Sequence, residues 1–311
     1  MPNVSEGRRA AVIARLAGAA RAVRDARLLD VSSDPDHNRS VLTLVGTPDA
    51  VLGAACALAA EAVAAVDLNE HEGVHPRIGA IDVVPFVPLY HASMAGCVAL
   101  AQRFAEYAAG SLGLPVYLYA EAARDPARRG LAVIRHGGFE ELREAIGTPA
   151  RRPDVGPARV HPTAGAVAVG ARDVLIAMNV DLTGADAPVA RSIAGAVRES
   201  SGGLPALQAM GVWLPRRGLA QVSMNLLDYR RTSPLAAFQR VRDEAHRRGA
   251  AVAAGELIGC APREALPADP AAALQLRTFE PRQILDPERL AAAFDAPERG
   301  ASGPPPGPAS L

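Results

Sequence analysis

Short apolar runs separated by turn residues mark the first half of the chain. Residues 28–31 and 40–46 read as strands, and Asp34-Pro35-Asp36 turns the chain between them. Thr47-Pro48-Asp49 offers a helix cap with proline in the first turn. The alanine-, valine- and leucine-dominated stretch 50–66 then predicts a mostly buried helix. Residues 80–87 read as a strand, Ser93 caps a second helix, and 115–119 reads as a third strand. Residues 124–153 are rich in arginine, glycine and proline, which predicts a surface excursion.

Beyond the excursion the order is cleaner. Residues 174–180 read as a strand and 187–200 as a helix. Two strands, 206–214 and 220–227, are joined by Pro215-Arg216-Arg217-Gly218. An amphipathic helix over 234–248 ends in Gly249, and 250–257 is a last strand. That order is β-α-β-β-α-β, the ferredoxin-like unit. The first half carries a similar inventory, with no sequence repeat linking the halves. The expected architecture is α+β: two ferredoxin-like subdomains, residues 1–173 and 174–282, with the active site in the groove between them. Residues 283–311 form a tail, and the proline and glycine of 302–308 predict disorder at its end.

Composition then narrows the chemistry. All 33 Lys+Arg residues are arginines; the chain has no lysine. That excludes a Schiff-base lysine, a lysine general base and a Walker-type phosphate lysine. Asp+Glu also total 33, so the neutral chain gives no global attraction to nucleic acid or anionic membrane, and neither is expected as a partner. Aromatics are only 4%, so the core must be built from aliphatic side chains. Cys56, Cys97 and Cys260 are scattered and read as small core residues in a reducing compartment. No apolar signal core opens the chain, and no apolar stretch of spanning length lacks a charge or a break. A soluble cytoplasmic protein is expected.

His71-Glu72-Gly73-Val74-His75 satisfies H-E-x-x-H, which on a helix holds zinc with the glutamate as base. Gly73 lies inside it and Pro76 pushes His75 away from helical geometry, so a polar loop is the simpler reading. No metal ligand set is expected.

A longer pattern carries more: His75-Pro76-Arg77-Ile78-Gly79-Ala80-Ile81-Asp82-Val83-Val84-Pro85-Phe86. With it stand Pro2-Asn3-Val4-Ser5-Glu6-Gly7, Asp36-His37-Asn38-Arg39-Ser40, the run 115–124, Gly170-Ala171-Arg172 and Ala220-Gln221-Val222-Ser223-Met224-Asn225-Leu226. Taken in order, these blocks resemble the glutamate formimidoyltransferase (formiminotransferase) family, from residue 2 to about residue 265. The resemblance implies transfer of a formimidoyl group from N-formimidoyl-L-glutamate to N5 of the co-substrate tetrahydrofolate. The products are 5-formimidoyltetrahydrofolate and L-glutamate, in histidine degradation and one-carbon metabolism. It places the catalytic histidine at His75. Folate contacts fall on Gly156, Pro157, Ala158, Arg159, Val160, His161, Pro162, Thr163, Ala164 and Gly165. It also implies a homodimer or higher oligomer, without the cyclodeaminase domain of the fused members. Two acids of the family pattern are replaced here, by Ser32 and Val74, leaving Asp34, Asp36 and Asp82 as candidates to polarise His75.

The chemistry fits one imidazole. The attacking N5 loses a proton and the departing glutamate nitrogen gains one, and a group titrating near 6.5 can do both. Substrate contacts are expected from His37, Asn38, Arg39, Arg77, Asp82, Arg172 and Asn179. For Arg77, a bidentate substrate carboxylate competes with bracing Asp82 or Asp36. Two alternatives stay open: a folate-binding homologue that has lost the reaction, and a zinc hydrolase using His71, Glu72 and His75.

Overall fold

A computed structural model describes residues 1–288, 290 and 291, so the predicted disordered end of the tail lies outside the described residues. Six elements open the chain: β1 (Asn3–Val4), α1 (Ala10–Arg21), β2 (Ala26–Asp34), β3 (Arg39–Gly46), α2 (Pro48–Ala65) and β4 (Ile81–Phe86). Their strands lie antiparallel in the order β2-β3-β1-β4. Helix α3 (Met94–Leu112), β5 (Val116–Ala120) and β6 (Val167–Ala171) extend the sheet beyond β4, with β6 between β4 and β5 and all three parallel. The second sheet comprises β7 (Ile176–Thr183), α6 (Ala187–Val197), β8 (Leu207–Leu214), β9 (Leu219–Leu226), α7 (Pro234–Arg247) and β10 (Ala251–Ile258). Its antiparallel order is β10-β7-β9-β8. The chain is α+β, as the pattern predicts.

Helix α1 and strand β6 are among the elements that escape the sequence pattern. Helix α1 has Arg9 as its N-cap, which makes no side-chain cap, and has no acidic residue in its first turn. Its buried Val12, Leu16, Ala17 and Ala20 are fixed by packing on α2 rather than by start signals. Strand β6 is a five-residue run of buried small residues, too short to declare itself a strand. Helix α2 is long and apolar enough to cross a membrane by length and composition. Here Leu52, Ala55, Leu58, Ala59 and Ala62 bury in the first core, and Glu61 pairs with Arg15 of α1.

The excursion is a correction. It folds into α4 (Leu131–Arg135) and α5 (Gly138–Ala145). Ile134, Leu142 and Ile146 are buried against Val83, Tyr117 and Tyr119. These strand residues alternate with Val84, Val116 and Leu118, which pack in the core beneath α1 to α3. The excursion therefore covers the other face of the first sheet. Its arginines mask three apolar anchors.

Period-two alternation also shapes the second half. Ile176, Met178, Val180 and Leu182 enter the core with Val222, Met224 and Leu226. Asn179, Ser223 and Asn225 take the opposite face, toward the first half.

Candidate active site

That polar face forms one wall of a groove of about 1590 Å³ between the halves. Sites for one small molecule typically measure about 300–1,000 Å³, so two substrates have room. The seam at one end is ionic. Arg217, in the turn between β8 and β9, donates to Asp34 at 2.6 Å and Asp36 at 3.2 Å. The backbone N–H of Arg216 donates to Asp36 at 2.7 Å. His37 and Gln221 meet at 2.7 Å, and Gln221 Nε2 donates to Asp181 at 2.7 Å. A carboxylate only accepts, so the Gln221 amide oxygen faces His37 and His37 Nε2 carries the proton. Asp34 and Asp36 thus hold the halves together.

His75 sits in a loop, not a helix. A Cβ on Gly73 would lie 2.3 Å from the His37 carbonyl oxygen, so only glycine lets this loop approach so closely. Val74 N–H donates to Asp36 O at 3.1 Å, and the His37 and His75 ring centroids end 5.7 Å apart. Arg77 Nε donates to His71 Nδ1 at 3.0 Å. His71 Nε2 must therefore carry the proton that it donates to Asn38 O at 2.8 Å. Both ring nitrogens of His71 are spent and Glu72 is exposed, which removes the geometry a zinc-binding H-E-x-x-H helix needs.

His75 is half-buried, its Nδ1 2.8 Å from the Pro76 carbonyl oxygen. That oxygen cannot donate, so Nδ1 holds the proton and Nε2 keeps a lone pair with no partner among the described residues. Burial holds the imidazole pKa well below its ordinary value, and the charges of Arg39 and Arg135 push it the same way against the weaker pull of Asp82. The ring is neutral at pH 7, as a general base requires.

Asp82 lies behind it, 0% exposed. It accepts from Arg39 Nη1 at 2.7 Å, from Arg135 Nη2 and from the Ile78 N–H at 2.9 Å. Burial alone would raise its pKa, but Arg135, Arg39 and the Ile78 N–H together hold it far below the usual carboxylate range. Arg39 also donates to Asn3 Oδ1 at 2.8 Å.

The other expected contacts separate. Arg77 lines the groove, but its guanidinium forks onto Glu140 at 2.8 and 2.9 Å and braces neither Asp82 nor Asp36. Arg172 lines the groove with no carboxylate partner among the described residues, and Asn179 donates to Glu256 at 2.9 Å. Asn38 does not line it. Left-handed at φ 48°, it accepts from Gly7 N–H and donates to Glu72 O, each at 2.9 Å, and so clamps the loops. Asp82 lies beneath the wall rather than in it.

No residue of 156–165 lines the groove. Ala166 N–H donates to Ile78 O and Ala80 N–H to Ala164 O, each at 2.9 Å, and Gly165 pairs with Gly79. The glycines of this segment meet protein backbone: a Cβ on Gly165 would lie 2.2 Å from Ile78 O. The segment buttresses the strand that leaves the His75 loop. Arg135, Gln221 and Glu256 are groove or seam residues that sequence reasoning missed. Arg135 is one of many arginines in the excursion, whereas Gln221 is a polar position between apolar Ala220 and Val222 in a strand, a signal that could have been read.

Comparison with known proteins accords with this arrangement. The family model described as the formiminotransferase domain, N-terminal subdomain, matches residues 1–172, and the formiminotransferase domain model matches 177–282. A glutamate formimidoyltransferase of Streptococcus pyogenes is 41% identical over 287 residues, covering 92% of this chain and 96% of that protein. One from Thermoplasma acidophilum is 42% identical over 288 residues, covering 92% and 95%. Mouse formimidoyltransferase-cyclodeaminase is 38% identical over 271 residues, which are 86% of this chain and 50% of that protein. The His75 loop, the seam and, apart from Ile176, the two main sheets lie inside the ranges of the family models, and the chain belongs to the formiminotransferase family.

Proposed function

We propose that this protein transfers the formimidoyl group of N-formimidoyl-L-glutamate to N5 of tetrahydrofolate. The products are 5-formimidoyltetrahydrofolate and L-glutamate. The observation that carries the reading is His75, a neutral imidazole with an open Nε2 beside a groove with room for both substrates. The names of the bacterial and archaeal relatives support the same reaction.

In the mechanism, N5 attacks the amidine carbon and passes its proton to His75 Nε2. The resulting tetrahedral carbon returns to a planar amidine by expelling the glutamate nitrogen, which takes that proton from the imidazolium. Proton transfer through one group accounts for both steps without a metal. Burial, helped by the positive charge of Arg39 and Arg135, keeps His75 unprotonated before attack, and Asp82 limits that effect so that the imidazolium can still form. That Arg172 and Asn179 line the groove supports contacts from both to substrate polar groups. His37 contributes through its position beside His75 and its bond to Gln221.

Architecturally we read two ferredoxin-like subdomains, residues 1–173 and 174–282, clamping the substrates between them. The order β2-β3-β1-β4 within the six-stranded first sheet matches β10-β7-β9-β8 read from its other end, which supports this. The resemblance assigns folate contacts to residues 156–165, whereas their bonding to residues 78–80 supports a second task, holding the His75 loop. A cytoplasmic homodimer or higher oligomer completes the reading.

The test is purified protein with tetrahydrofolate and N-formimidoyl-L-glutamate, followed by product absorbance, with formimidoylglycine and formylglutamate in parallel. Product only from another donor corrects the donor. Folate binding without transfer from any donor favours the binding homologue and defeats the transferase.

A further inference from the structure

Arg135 is underused by the protein that buries it. Its side chain lines the groove and is 13% exposed. Nη2 donates to Asp82, while Nε is buried without a hydrogen-bond partner and Nη1 has none among the described residues. Other buried side-chain atoms without partners, on Thr43, Arg151 and Arg240, belong to residues outside the groove. A buried charged donor left unpaired is costly and calls for an explanation. Asp82 is one carboxylate shared by two guanidiniums, and with His75 neutral the cluster keeps a net positive charge. Such a cluster complements an anion.

The guanidinium is held firmly. Arg151 donates to the carbonyls of Val133, Ile134 and His136, each at 3.0 Å, pinning the end of α4 that presents Arg135. Ile134 is buried beside it in the apolar cluster under the sheet.

Bond lengths say which anion fits. In an N-formimidoyl amino acid, the amidine carbon reaches the α-carboxylate carbon through the nitrogen and Cα. Three bonds of about 1.3–1.5 Å put the two carbons within about 4 Å of each other. The γ-carboxylate of glutamate lies further along the chain. A group that protonates the amino-acid nitrogen must therefore adjoin the α-carboxylate receptor. Arg135 shares Asp82 with Arg39 and the Ile78 N–H, three residues from His75.

We propose that Arg135 receives the α-carboxylate of the donor and so restricts donors to N-formimidoyl derivatives of α-amino acids. This rests on the transferase reading. Arginine suits the task because its charge is permanent and its donors match a planar carboxylate.

Three donors separate the possibilities. N-formimidoyl-L-glutamate has both carboxylates, N-formimidoylglycine keeps only the α-carboxylate, and N-formimidoyl-4-aminobutyrate keeps only the distal one. KM is read for each in wild type, Arg135→Gln and Arg135→Lys, or Ki against the glutamate donor where turnover is absent. In Arg135→Gln the first two constants should rise about 10- to 100-fold, while that of the 4-aminobutyrate derivative moves less than about threefold. Arg135→Lys should recover part of the loss. Equal shifts for all three donors would show that Arg135 only props the fold, and no shift for any would remove it from the site; either overturns the proposal. Wild-type turnover of the glutamate donor in the same assay judges the transferase reading separately. If turnover is absent, calorimetric binding of L-glutamate against 4-aminobutyrate to wild type and Arg135→Gln still decides the role of Arg135.

Discussion

Asp82→Asn removes one charge and almost no volume. Asp82 is fully buried and bonded to both Arg39 and Arg135. At an effective dielectric of 20, one such pair near 4 Å attracts by about 4 kcal/mol. The asparagine can keep its amide oxygen on the Ile78 N–H, but its NH2 then faces two guanidiniums, donor against donor. Arg39 retains Asn3, whereas Arg135 has no other partner among the described residues. Leaving a buried charge uncompensated costs about 3–5 kcal/mol, which is the expected loss at pH 7. The pH dependence has a definite sign. The Asp82 pKa is depressed in the folded state, so its stabilisation is fully present above the unfolded value of about 3.9 and fades as pH falls toward the folded one. By pH 3 the difference between wild type and variant should shrink by roughly 1 kcal/mol. Urea unfolding followed by circular dichroism at both pH values measures this. Adding Arg135→Gln to Asp82→Asn removes one orphaned charge and should restore part of the loss. A loss below about 1 kcal/mol at pH 7, or one unchanged at pH 3, refutes the charge arrangement described here.

His75→Ala should lower kcat/KM by about 10²–10⁴-fold with tetrahydrofolate affinity kept, read by turnover and calorimetry; near-wild-type turnover removes His75 from the chemistry. Because the His75 pKa is depressed and the base must be neutral, kcat/KM should stay level as pH falls past 6.5 and drop only at lower pH. An acid limb centred at or above 6.5 contradicts that. Asp82→Asn should move the limb lower still, since Asp82 favours the protonated ring. Arg159→Ala and His161→Ala test the folate contacts that the resemblance assigns: they should raise the KM for tetrahydrofolate above about tenfold, and a KM within about threefold leaves the segment only the task of holding the His75 loop.

Some of the site was legible because its signal is local. Pro76 and Gly73 already argue against a helix at His71 to His75, and the loop is what forms. His37, Arg39, Arg77, Arg172 and Asn179 were expected near substrate, and all of them line the groove. What each does there was not legible. Arg77 spends its fork on Glu140, from an excursion read as surface, and Asp36 spends its carboxylate on Arg217, 181 residues away. Glycines at 156 and 165 announce close approach, but not whether a ligand or another strand approaches.

Sequence alone determined the α+β class, the β-α-β-β-α-β order of the second half and the absence of any lysine chemistry. These follow from residue type and short-range spacing, which act over a few residues. Only the tertiary structure decided the pairing of charges: Asp82 between Arg39 and Arg135, Arg217 across the seam, and His37 against Gln221. Electrostatic environment depends on distance in space and on burial, so the same histidine is an ordinary loop residue or a neutral base according to what folds around it.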